Sequence, residues 1–204
     1  MIVTDIIPCG KRKSRVLTDE DLAFSVYQSE LRKLGLETGK EISEALRQEQ
    51  IFPLLRKRAK ERALRLLRDR DYTEAGLLEK LRSGDCPEAV AKETVQWAKQ
   101  KRYVEDLRYA EQFIACHAAG KSRQRILFDL SRKGIPREQA EQLLDENPPD
   151  EEAQILKELR KSHFSEKQDD PKERNRILSR LARRGYQWGE IERVIREWQE
   201  PDAW

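Results

Sequence analysis

Few positions in this 204-residue chain carry side chains that could make or break bonds. Cys116-His117 sets a nucleophile beside a base, and Gly120-Lys121-Ser122 copies the end of a phosphate-binding loop. That loop needs a glycine where Ala115 stands and a strand before it, whereas a helical pattern precedes it here. Cys116 and His117 fall late in that amphipathic helix, where ordinary packing or partial exposure accounts for them. The three cysteines (Cys9, Cys86, Cys116) and two histidines (His117, His163) never approach metal-ligand spacing. They read as reduced structural residues. No Ser-His-Asp order, paired-carboxylate pocket or cofactor fingerprint is present, so we assign no catalytic residue, metal or cofactor. A binding module is the better class, and an enzyme the weakest.

The remaining chemistry is electrostatic. Net charge is only +3, so its distribution matters more than its total. Residues 54–70 hold eight basic and two acidic side chains, residues 121–137 six and one, and residues 138–170 four and eleven. Basic helices thus alternate with acidic ones. Each basic face is either simply solvated or a partner surface for phosphates or carboxylates. The last basic run carries Arg174, Arg176, Arg180, Arg183 and Arg184, followed by Trp188 and Trp198. Tryptophan at such spacing is more often core than a stacking platform for a nucleobase.

The elements that must position these charges are helices. In residues 101–136, an acidic start at Glu105 and Asp106 opens a helix with Leu107, Ala110 and Ile114 on one face. Gly120 ends it or its turn, and Ser122 caps a second helix that turns Ile126, Leu127 and Leu130 inward. Gly134 breaks that helix, and Pro136 opens a third. The same grammar recurs at residues 77–95, 126–144 and 177–195. Leu81, Leu130 and Leu181 are each followed four residues on by a break, at Asp85, Gly134 and Gly185. A repeated helical module buries its face partly against its neighbours.

Residues 1–53 differ in texture. Ile2-Val3 and Ile6-Ile7 are strand-like, and residues 14–17 and 22–26 form a hairpin around the turn Thr18-Asp19-Glu20-Asp21. A short helix ends at Gly35, an extended piece covers 40–42, and a helix starts at Ser43. A lone hairpin is marginal in water, so this module must lean on the first helical unit. Pro53 then punctuates, and residues 54–70 form a helix with Leu55, Ala59, Ala63, Leu66 and Leu67 as its apolar stripe. Downstream, Asn147-Pro148-Pro149 breaks the chain, Ala153, Leu156 and Leu159 mark another helix, and 164–170 reads as a polar loop. Asp170-Pro171-Lys172-Glu173 offers a capping box for the last pair of helices.

The central wording, YVEDLRYAEQF followed by a glycine and RILFDLSRKGI, resembles the central motif of the RecX regulatory proteins of bacterial recombination. The matching positions are Tyr103, Asp106, Arg108, Tyr109, Ala110, Gly120, Ile126, Leu130, Lys133, Gly134 and Ile135. Val104, Glu105 and the stretch 116–121, which is less arginine-rich than in relatives, depart from the pattern. The resemblance covers about residues 54–198. It implies a mainly α fold of tandem three-helix repeats in an elongated curved array, behind a small β-containing N-terminal module. We place that module at 1–53 and the repeats at 54–103, 104–147 and 148–204.

The resemblance further implies a protein that binds the groove of the RecA filament on single-stranded DNA. There it would inhibit ATP hydrolysis and strand exchange, tempering recombination and the SOS response. The contact residues carried over are Arg123, Arg125, Arg132, Lys133, Arg180, Arg183 and Arg184. Arg108 is added, although Asp106-x-Arg108 also reads as a capping and packing pair. An elongated string with alternating charge can follow a helical groove across protomers. The rival reading is a sequence-independent DNA-binding helical protein whose arginines track phosphates. With no run of 18 apolar residues and no secretory order at its start, the chain is expected to be cytoplasmic, off the membrane, and a monomer.

Overall fold

The computed structural model describes residues 1–10, 12–20 and 22–199. Asp21 of the expected turn, and the part of the last repeat beyond Gln199, lie outside the described residues. The chain divides into two compact units, Met1–Glu105 and Asp106–Trp204.

The first unit begins with an antiparallel meander of β1 (Val3–Pro8), β2 (Lys13–Thr18) and β3 (Ala23–Tyr27). Val16 faces Ile6 on one side and Phe24 on the other, so strand alternation drives Val16, Phe24 and Val26 to one buried face. Helix α1 (Gln28–Leu34) stops at Gly35, whose φ of 60° lets two helix-end carbonyls be met. A short α2 (Glu44–Leu46), capped by Ser43, runs through a widened turn, Arg47–Ile51, into α3 (Phe52–Asp69). Pro53 therefore does not punctuate. It stands in the first turn of α3, and the wide turn just before it accommodates a residue with no N–H to donate. The sheet's core includes Leu55 and Ala59 of α3 and Val90 of α5 (Glu88–Gln100), so the module does lean on the first helices. Between α3 and α5, α4 (Glu74–Arg82) is capped by Thr73, whose hydroxyl accepts from the Gly76 N–H at 3.0 Å.

The second unit holds α6 (Asp106–His117), α7 (Arg123–Ser131) and α8 (Arg137–Glu146), then α9 (Glu151–Lys161), α10 (Phe164–Lys167), α11 (Pro171–Arg183) and α12 (Trp188–Gln199). The three expected breaks each fall between helices and each take a left-handed backbone: Asp85 at φ 58°, Gly134 at 85° and Gly185 at 93°. Asp85 has no glycine's freedom. It is held by the Ser25 hydroxyl at 3.0 Å and the Arg15 guanidinium at 3.4 Å.

Four expectations need correction. Leu107 is 54% exposed, and Val104, three residues earlier, is the buried residue instead, packed in the first unit's core. In α9 the buried face is Gln154, Ile155 and Leu159 rather than one running through Ala153, because Gln154 has partners that compensate its burial. The expected polar loop at 164–170 begins as α10, and Phe164, 1% exposed, is a core residue of the last repeat. Trp198 packs against that core, but Trp188 is half exposed.

Candidate functional site

Helix α7 turns Ile126, Leu127 and Leu130 into the core, and helical phase then forces residues 125, 128 and 132 outward. Phe128 is 52% exposed, with the Arg125 guanidinium 5.4 Å and the Arg132 guanidinium 5.9 Å from its ring centre. Below them, Asp129 accepts from Lys121 at 2.8 Å and lies 3.3 Å from Arg125. Burial alone would raise its pKa; the Lys121 hydrogen bond and the charges of Lys121 and Arg125 outweigh that and hold it below the ordinary value.

On α6, Tyr109, Phe113 and His117 stack in a ladder, with ring centres 6.4 and 4.0 Å apart. Lys133 sits 5.4 Å from the Tyr109 ring and 5.6 Å from Phe113, and Lys121 sits 5.0 Å from Phe113. Cations here are interleaved with aromatic faces, an arrangement that serves stacking as well as charge.

The end of α11 rests on the start of α7. The buried Ser122 hydroxyl donates to the Arg184 carbonyl at 2.8 Å and accepts from the Arg125 N–H at 3.2 Å. Gly185 makes the approach possible, since a Cβ there would stand 2.6 Å from the Ser122 hydroxyl. Gln154 ties the same junction, donating to the Ala118 carbonyl at 2.7 Å and accepting from the Tyr186 hydroxyl at 2.7 Å. The C-terminal end of α11 is thereby brought to the first turn of α7.

The sequence-derived contact residues separate into two kinds. Arg132 and Arg180 are exposed with no carboxylate partner among the described residues, and Arg183 only donates to the Ser179 carbonyl at 3.3 Å. Arg125 is outward beside Phe128, Lys133 lies over the α6 ladder, and Arg108 is exposed on the first turn of α6. Arg123 and Arg184 are tethers: Arg123 pairs with Asp145 of α8 at 2.6 Å, and Arg184 with Glu158 of α9 at 2.7 Å. Phe128, Tyr109 and Lys121 were not among the sequence-derived contact residues. Phe128 was findable, because it lies out of phase with Ile126, Leu127 and Leu130.

The basic helix α3 is largely engaged within its own unit. Arg56 pairs with Glu93 at 2.6 Å, Arg58 pairs with Glu30, and Lys60 lies 5.1 Å from the Trp97 ring centre. Nor do the thiols form a reactive centre. Burial pushes the Cys86 pKa up to about 11, while Cys9 and Cys116 are exposed and free. Among the described residues no group of three His, Cys, Asp or Glu side chains is placed to hold a metal.

Comparison with known proteins meets this geometry. Models of the first, second and third three-helix domains of RecX match residues 59–97, 106–144 and 150–195. A protein named regulatory protein RecX from Caldanaerobacter subterraneus is 29% identical over 198 residues, spanning 96% of this chain and 98% of the relative. Another of that name, from Trichlorobacter lovleyi, is 36% identical over 130 residues, spanning 61% and 84%. Two crystal structures share the fold. One of regulatory protein RecX has a TM-score of 0.63 at 21% identity and covers 96% of this chain and 99% of the other. RecX from Lactobacillus salivarius has a TM-score of 0.58 at 23% identity, covering 70% and 96%.

Proposed function

The chain belongs to the RecX family of regulatory proteins, and from that premise we propose that it acts on the RecA recombinase. It binds in the groove of the RecA filament on single-stranded DNA and inhibits ATP hydrolysis and strand exchange. Recombination and the SOS response are tempered as a result. It works as a monomer in the cytoplasm and catalyses no reaction of its own. Its working parts are the N-terminal module at 1–53 and the three repeats at 54–103, 104–147 and 148–204.

One observation carries the reading: Arg125 and Phe128 stand outward on α7 with Arg132 at its C-cap, and the end of α11 docks on the first turn of α7 with Arg180 and Arg183 uncommitted to carboxylates. Such a surface offers charge to a phosphate backbone and a ring face to a partner. Arg108 and Lys133 extend it, and Arg123 and Arg184 hold its helices in place. The test measures binding to RecA with and without single-stranded DNA, beside binding to DNA alone. Preference for the filament is the expected result. Equal binding to bare DNA, indifferent to RecA, would instead make this a sequence-independent DNA-binding protein.

A further inference from the structure

The second unit carries another open surface of opposite character. Between α6 and the end of α8 lies a groove of about 500 Å³, within the size range of ligand clefts, roughly 300–1,000 Å³. Its floor includes Ala115, Ala118, Leu143 and Pro148, and its lining includes Glu111 and Glu146. The groove exists for a local reason. Ala115 and Ala118 stop short where longer side chains would fill the space, and α8 ends at Glu146 so that Pro148 turns the chain aside. Glu111 and Glu146 are exposed and form no hydrogen bond or ion pair with the described residues. No Lys or Arg lines the groove.

We infer that this groove seats a protein segment in which apolar side chains are flanked by Lys or Arg. The inference rests on the filament reading and deepens it: basic α7 addresses the nucleic acid, and the groove holds the protein component. Two uncommitted carboxylates repel a phosphate backbone, which excludes a nucleic-acid strand as occupant. They attract basic flanks while the alanine and leucine floor takes the apolar side chains. From Glu111 to Ala118, just past the end of α6, the chain advances about 10 Å, or two helical turns, long enough for a segment with anchors at i and i+3 or i+4.

Two variants of the full chain test this: Ala115→Trp, which fills the groove, and the pair Glu111→Lys with Glu146→Lys, which reverses its charge. Both change exposed positions. The probes are a RecA filament assembled on single-stranded oligo-dT, and the same oligonucleotide without RecA. We expect parental helicity and melting and a loss of filament affinity of at least about tenfold. Bare oligo-dT should be bound as by the parent in Ala115→Trp, and no more weakly than by the parent in the charge-reversal pair, whose added lysines favour phosphates. If Ala115→Trp misfolds, the charge-reversal pair reads the same surface. Folded groove variants that bind the filament within about twofold of the parent overturn the groove assignment alone. So does an equal loss on bare DNA. A parent without preference for the filament overturns the filament reading, and the groove assignment with it.

Discussion

At the scale of single residues, the candidate surface separates side chains that reach outward from those that hold helices together. Replacing Arg125, Arg132 and Lys133 by Glu tests the outward set. Arg125 and Arg132 are exposed, and exposed changes usually cost within about 0.5 kcal/mol each. Lys133, half-buried over the Tyr109 and Phe113 rings, adds the loss of those contacts, so helicity should stay near parental and melting should fall only modestly. Asp129 keeps Lys121 as a partner when Arg125 is lost. Inhibition of RecA should fall sharply, with the deficit largest at low salt, where charge contacts are least screened. A folded triple variant that inhibits like the parent would reduce α7 to a solvated face. Arg123→Ala should behave differently. It removes the Asp145 pair and loosens α7 from α8, so it lowers melting before it lowers binding. The cysteines supply a check on burial. With its pKa raised to about 11, Cys86 stays a neutral thiol at pH 8, and thiolate is the reactive form. Iodoacetamide at pH 8 should therefore modify the exposed Cys9 and Cys116 well before Cys86, as peptide mass spectrometry will show. Equal labelling of all three would contradict the half-buried position of Cys86.

At the scale of elements, the repeat depends on its left-handed breaks. Gly185→Ala forces a left-handed backbone on a residue with a Cβ, costing about 1–2 kcal/mol. It also drives that Cβ against the Ser122 hydroxyl and towards the Arg125 N–H, so the full loss should exceed the backbone cost. Thermal melting measures it, and an unchanged midpoint would deny the α11–α7 contact. The breaks were legible in the sequence because a left-handed position follows each core leucine at fixed spacing. The helices were legible because their apolar positions recur with helical period. Errors arose where a distant partner decides burial. Gln154 is buried because Ala118 and Tyr186, 36 and 32 residues away, satisfy its amide. No local pattern reveals that. Leu107 looked like core because its spacing to Ala110 and Ile114 is helical, yet Val104 is the buried residue. Phe164 was hidden among polar neighbours, and only the packing of α10 against α9 and α11 makes it core. For the site, charge was legible but commitment was not. Arg123 and Arg132 look alike in sequence, and only the fold gives one a carboxylate and leaves the other exposed.

At the scale of the whole molecule, each unit has core clusters of its own: one around the sheet and another around α3 to α5 in the first, one per repeat in the second. A fragment beginning at Asp106 should therefore stay helical and melt cooperatively, as circular dichroism will show; a non-cooperative transition would mean that the second unit needs the first. Among the described residues no helix is long and apolar enough to cross a membrane. The half-exposed Trp188 has an optical consequence. Trp188 lies three residues beyond the Gly185 that abuts α7, and its indole N–H donates to Glu192 at 2.7 Å. Trp97 lies against Tyr103 and Trp198 against Phe164, so their emission starts from shielded rings. Trp188 starts from a wet one, and drying it should shift its emission to the blue. The chain thus carries its own fluorophore beside the surface whose occupancy is in question, and titration with filaments lacking tryptophan can be followed without a dye. Loss of the shift in Trp188→Phe, with affinity retained, assigns the signal.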